Sequence, residues 1–205
     1  MNITMKTTAL LLCLITLTHT ARAEPEALTN VEAYLAATLA ALSTPKMKDA
    51  PIQVNSALRK ASGVQEDAGA KAIVAIPDEG AEGMDLANLA TGTLPLCRLW
   101  MKGSALKLPP KVTSNIEHKD IDAEGEKHSV TIWLLGVRRS AKGKPELLVC
   151  ANQKEPALVL PLTALATPQA ADPDAPVQVS VESADGVSQL VLTLRGTHRL
   201  KLALE

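Results

Sequence analysis

Aromatic side chains are nearly missing from this sequence: among 205 residues there is no phenylalanine, one tyrosine (Tyr34) and two tryptophans (Trp100, Trp133). Its core must therefore be aliphatic, built from Leu, Val, Ile and Ala. Ring platforms, on which sugar-binding and single-stranded nucleic-acid-binding surfaces usually depend, are equally scarce. Trp133 sits inside an apolar run, which leaves Trp100 and Tyr34 as the only rings to offer. Both activities are poorly supported.

An excess of charge of either sign is also lacking. The chain carries 21 basic and 22 acidic side chains, a formal net charge of −1. Such a mixed balance makes no long-range field to draw in nucleic acid or an anionic membrane. Long apolar runs are absent too. The longest, Ala9–Leu17, is too short for a span of about 20 residues. Lys6 before it and Ala21-Arg22-Ala23 after it complete the pattern of a secretory leader, expected to be cut after Ala23. Cys13 does not mark a lipid anchor, because Leu11-Leu12 stand where small residues belong. The expected mature chain, 24–205, keeps 19 basic against 22 acidic residues, a net charge of −3. It has no membrane span and is expected to be exported, periplasmic or secreted.

Cysteine is sparse. Removal of the leader takes Cys13 and leaves Cys97 and Cys150. Two cysteines in an exported chain are most simply a disulfide. Closing so long a loop stabilises by about 4 kcal/mol in the chain-entropy model. A catalytic thiol is the other reading, but no nucleophile signature surrounds either residue.

What the sequence does have is a central block, 128–162, with three apolar runs: Val130–Val137, Glu146–Ala151 and Ala157–Leu162. In the first, Val130, Ile132 and Leu134 alternate with Trp133, Leu135 and Val137, so both faces are apolar. A strand of that kind belongs in a sheet covered on both sides. Turn residues at 140–145 and 152–156 make the block a meander. After a proline-rich connection, 167–176, the tail alternates cleanly: Val177, Val179, Val181, then Leu190, Leu192, Leu194, then Leu200, Leu202, Leu204. Those strands have one wet face and one dry one, with hairpin turns at Asp185-Gly186 and Gly196-Thr197.

Ahead of the sheet, Thr29 and Glu32 form a capping box. Val31, Tyr34, Leu35, Thr38, Leu39 and Leu42 follow at helical spacing, predicting a helix over 30–43 that Pro45 stops. Leu35 and Leu39 are expected to lie on the sheet; the opposite face is rich in alanine. Residues 51–62 are expected to form a second helix with Gly63 as its stop. Shorter strands are read at 71–76, 96–101 and 104–108, and another starting at 111.

The sharpest candidate site is the acidic segment Glu117–Ser129, read as a hairpin loop. His118 and His128 stand at its two ends, with Asp120, Asp122, Glu124 and Glu126 between them. Two imidazoles with carboxylates suit Zn²⁺ or a related divalent metal. The expected ligands are His118, Asp120, Asp122 and His128. A calcium loop is a poorer match, since the position needing a bidentate glutamate is Thr131. The bland alternative is a solvated hairpin. Arg138-Arg139 with Lys142 and Lys144 make a basic tip, but Pro145 stands where a phosphate loop needs Ser or Thr. No Gly-x-Ser-x-Gly occurs, and His198 lies in a turn beside Thr197 and Arg199, with no glycine-flanked nucleophile anywhere in the chain.

The fold expected is α+β in one domain, 24–205. N-terminal helices at 24–63 cover a mainly antiparallel sheet, and the C-terminal meander of the β part, 71–205, forms a second layer or partial sandwich. A pure β-sandwich with peripheral helices is the alternative. The function expected is that of an exported, non-enzymatic binding or structural module of the envelope or secreted fraction, acting through a protein partner and needing no cofactor or nucleic acid. The alternatives are a metal-binding protein, hydrolytic or not, using the 118–128 hairpin, and a small hydrolase with dispersed residues.

Overall fold

The computed structural model describes residues 24–43, 47–66, 69–109, 117–123, 126–170, 172, 174–184 and 186–205, with the backbone alone described for 43, 117–123, 126–129 and 184. The leader expected at 1–23 lies outside them. In chain order the elements are β1 (Glu26–Ala27), α1 (Asn30–Ser43), β2 (Ser62–Glu66), β3 (Lys71–Pro77), β4 (Thr93–Lys102), β5 (Glu117–Ala123) and β6 (Glu126–Arg139). There follow β7 (Pro145–Cys150), β8 (Leu158–Pro161), β9 (Thr163–Ala164), β10 (Val177–Ala184), β11 (Val187–Leu194) and β12 (His198–Ala203).

The strands form two antiparallel sheets. The larger runs β1-β2-β3-β4-β6-β7-β8, with β5 paired to β6 beside that path; the smaller runs β10-β11-β12-β9. β6 is the organiser. Along one edge it pairs with β4, from Arg98↔Leu134 to Lys102↔Val130 and beyond. Its other edge is shared: β7 takes Leu134–Arg139 and β5 takes Glu126–Ile132.

The doubly apolar pattern of β6 has the consequence expected of it. Trp133, Leu135 and Val137 face the small sheet, in a core that includes Leu99, Met101, Leu147, Leu190, Leu192 and Leu202. Val130, Ile132 and Leu134 face the other way, in a core with Val74, Ile76, Trp100, Met47, Ile52 and the alanines of α1. Gly136 in β6 is needed for that cover. A Cβ there would stand 2.9 Å from Ile52 Cδ1 and 3.1 Å from Leu94 O. The alternating tail behaves equally simply, with Val177, Val179 and the leucines of β11 and β12 inward and Gln178, Thr193 and Arg199 outward across paired positions. Arg195 and Gly196 both take left-handed φ values, 49° and 63°, as a tight turn between twisted antiparallel strands requires.

The balance of elements is more β-rich than expected. Among the described residues α1 is the one α-helix; 51–62 is not a second. That stretch is irregular, with a 3-10 turn at Leu58–Lys60 before β2 begins at Ser62. Its backbone is tied elsewhere: Ala57 N donates to Pro77 O at 2.8 Å and Ser56 bridges Asp78. Tertiary pairing with the end of β3 outcompetes a helix that Pro51 and Gly63 would have framed. The segment still covers the sheet, through Ile52 and Ala61. The acidic segment 117–129 is also not a loop. Its described residues belong to β5 and β6, which pair down to Ala123↔Glu126.

Candidate functional site

The residue pattern of α1 sets up an unusual surface. Thr29 Oγ1 accepts from Glu32 N at 3.3 Å and donates to Glu32 Oε2 at 2.8 Å, while Thr29 N donates to the same carboxylate oxygen at 2.8 Å. These bonds, the one from the Thr29 backbone foremost, hold the Glu32 carboxyl below its usual range. The box fixes where the helix starts, but the side facing the sheet is the reverse of the expected one. Ala33, Ala37 and Ala40 are buried against the sheet. Val31 is 67% exposed, Leu35 and Leu39 55% each, Leu42 81% and Tyr34 39%.

The cause is clearance. The sheet face beneath α1 is already filled by Trp100, Ile76 and Val74. A helix carrying alanine at i, i+4 and i+7 can settle close to those side chains, whereas leucines would hold it away. The larger apolar residues are left on the outside as one stripe. That stripe presents on the order of 500 Å² of apolar surface, near the upper limit of what a monomer usually shows.

A groove of about 450 Å³ opens beside the start of the helix, where β2 meets the small sheet. Ser62 Oγ donates to Val177 O at that junction. Asn30, Gln169, Gln178, Thr193 and Arg199 converge on the groove. Its cation is already committed: Arg199 and Lys201 both donate to Glu182, and these contacts hold the Glu182 carboxyl below its usual range, the Lys201 hydrogen bond first. A shallower cleft of about 430 Å³, lined by Leu160, Pro161 and Leu200, adjoins it through Leu165 and Arg199. With Asp172 also on its wall, the groove offers both hydrogen-bond donors and acceptors.

The disulfide expected between Cys97 and Cys150 is not formed; both thiols are free and buried. Cys97 pairs with Leu135 and Cys150 with Leu134, so β6 lies between the two strands and the cysteines belong to opposite cores. Two strand spacings are about 9.6 Å, beyond the roughly 7 Å that a disulfide can span. Burial pushes the Cys150 thiol up to about 11 and the Cys97 thiol higher still. Neither is a poised nucleophile.

The metal ligands expected at the hairpin fall on β5 and β6. His118 stands opposite Thr131, Asp120 opposite Ser129, Asp122 opposite Lys127, and His128 opposite Ile121. By strand alternation, positions 118, 120 and 122 share one face of the ladder and position 128 belongs to the other. The side chains there lie outside the described residues, as do those of Glu124 and Glu126. Among the described residues no three His, Cys, Asp or Glu side chains converge to hold a metal.

The two arginines of the basic tip are engaged within the fold, while Lys142 and Lys144 are exposed. Arg138 Nε donates to Glu146 Oε2 at 3.2 Å, and Arg139 donates to Leu89 O and Ala87 O at 3.3 and 3.0 Å. Ser140 Oγ accepts from Lys144 N and closes the turn. His198 Nδ1 lies 3.0 Å from Thr197 Oγ1, which also reaches Leu194 O at 3.3 Å; burial lowers the imidazole below its ordinary pKa.

Sequence reasoning missed the outward stripe and the groove. For the first there was a readable signal, since Ala33, Ala37 and Ala40 are themselves spaced as one helix face. For the groove there was none, because its lining comes from β2, β10, β11 and β12. Among the described residues no helix is long and apolar enough to cross a membrane. No protein-family model, curated protein or solved structure matches this chain.

Proposed function

We propose that this chain is an exported, non-enzymatic binding module of the cell envelope or secreted fraction, and that it works through a protein partner seated on the outer face of α1. The observation that carries the reading is the exposed stripe Val31, Leu35, Leu39 and Leu42, with Tyr34 at its side. Fully burying one such side chain is worth roughly 1.5–3 kcal/mol. Folding has used the helix's other face, so this gain is open only to association. The leader pattern ending at Ala21-Arg22-Ala23 supports export. The engagement of Arg138, Arg139 and Arg199 within the fold supports binding over chemistry at those three guanidinium groups.

A photoreactive benzoylphenylalanine in place of Leu39 tests this in producing cells. A discrete protein adduct is expected there and not when the probe replaces Val159, an exposed residue of β8. No adduct from position 39 would overturn the reading.

A further inference from the structure

We infer that the partner on α1 is a second copy of this chain, the two helices lying antiparallel across a two-fold axis near position 37. The inference rests on the reading of this helix face as a protein-docking surface and names its occupant.

The spacing is self-complementary. Val31, Leu35, Leu39 and Leu42 follow at intervals of four, four and three. Reversed and laid on itself, the stripe sets Leu35 against Leu39 and Val31 against Leu42. A two-fold interface must present one patch to its own copy in this way. The same intervals make the narrow apolar seam of paired helices.

Charge neither directs the stripe to another partner nor repels a copy. Within α1 the one charged residue is Glu32, and its carboxylate is held at the cap by Thr29. The hydroxyl within the seam is already satisfied. Thr38 lies between Leu35 and Leu42, and its hydroxyl donates to Tyr34 O at 2.8 Å. A dry interface would therefore leave that donor paired.

The area is sufficient for a reversible dimer. Two stripes would bury on the order of 1,000 Å² in total, the lower bound for a specific interface and within the weak class. Dissociation is therefore expected on dilution, at concentrations of about 1–100 μM.

Sedimentation of the purified protein across that range tests the inference. The mass should rise from one copy to two. Leu35→Glu combined with Leu39→Glu should weaken dimerisation at least tenfold while the circular dichroism stays unchanged. If that variant fails to fold, single cysteines replace it, the native thiols being buried. Thr38→Cys lies near the axis and should be joined to its copy by a short bismaleimide. Val31→Cys should not, because two-fold reversal separates the copies of that position by about 17 Å along the helix. Linking at Val31→Cys and not at Thr38→Cys would overturn the antiparallel pair. A single-copy mass at every concentration would overturn the dimer, whether or not the monomer binds neutral phosphatidylcholine vesicles. The Leu39 photoprobe separates the two levels. An adduct with a different protein overturns the second copy and leaves the docking surface; no adduct overturns both.

Discussion

Cys97 and Cys150 point to opposite sides of one sheet, with Leu135 and Leu134 of β6 between them as their respective neighbours. Each thiol fills a place in a different core, and the even number of cysteines in the expected mature chain reflects packing and not a bridge.

Both thiols should therefore be silent in the folded protein. At pH 8 an aromatic disulfide reagent is expected to titrate neither, and to titrate both once the mature chain is unfolded. A bridge found by mass spectrometry of the native protein would sink this. Alkali should also act through them. Burial keeps the folded thiols protonated above their ordinary value of 9.0, with Cys150 reaching about 11. Their contribution to stability is thus intact below about pH 9 and drains as pH rises toward 11. Cys150→Val should flatten the fall in urea midpoint across that window.

The inverted helix makes a paired prediction. Ala37→Leu, against the sheet, should cost about 1–3 kcal/mol, since an overpacked core must shift to accept it. Leu39→Ser should stay within about 0.5 kcal/mol when measured on dilute monomer, as exposed substitutions do. The opposite ordering in chemical denaturation would mean that the leucines, not the alanines, meet the sheet.

How far the sequence could be read follows from how local each feature is. The start of α1 depends on Thr29 and Glu32, close together in the chain, and was legible. The cover on both sides of β6 was legible as well, because alternation within 130–137 already demands it. Which face of α1 turns inward was not. Hydrophobicity ranks Leu above Ala, whereas the clearance over Trp100 and Ile76 decides, and that distance is set by distant strands. The cysteines failed for a similar reason, since their parity exists only through registers with β6. The acidic segment 117–129 reads as a loop because its sequence has no apolar face; what makes it a strand is its register with the far end of β6.

Trp133 is fully buried between the sheets, beside Leu135 and Val137 on the same face. Trp133→Ala should destabilise by about 3–5 kcal/mol. Its indole N–H has no acceptor among the described residues. Trp133→Phe should accordingly cost less than half as much, because the volume lost is smaller and no hydrogen bond is forfeited. Equal losses in the two variants, measured by denaturant unfolding, would show that the N–H is paired.

His198 should make the fold sensitive to mild acid. Burial depresses its folded pKa below the ordinary 6.5, so the neutral ring favours the folded state. That stability is present above pH 6.5 and is lost as pH falls through the lower folded value. The melting temperature should decline as pH falls below 6.5, and His198→Gln should remove most of that decline. An unchanged slope in the variant would place the acid sensitivity elsewhere.

The small sheet also governs the order in which the chain can fold. The strands of the small sheet that seal the Trp133 face from outside, from Val177 to Leu202, are made after the large sheet is complete. Local pairing can assemble β3, β4, β6 and β7 early, but half their apolar surface then waits in water for the last hairpins. Closure needs contacts of long sequence separation, such as Lys107 with Ala203 and Ser62 with Val177. Until β12 emerges, the nascent chain holds an open sheet that chaperones can grasp and neighbouring chains can join.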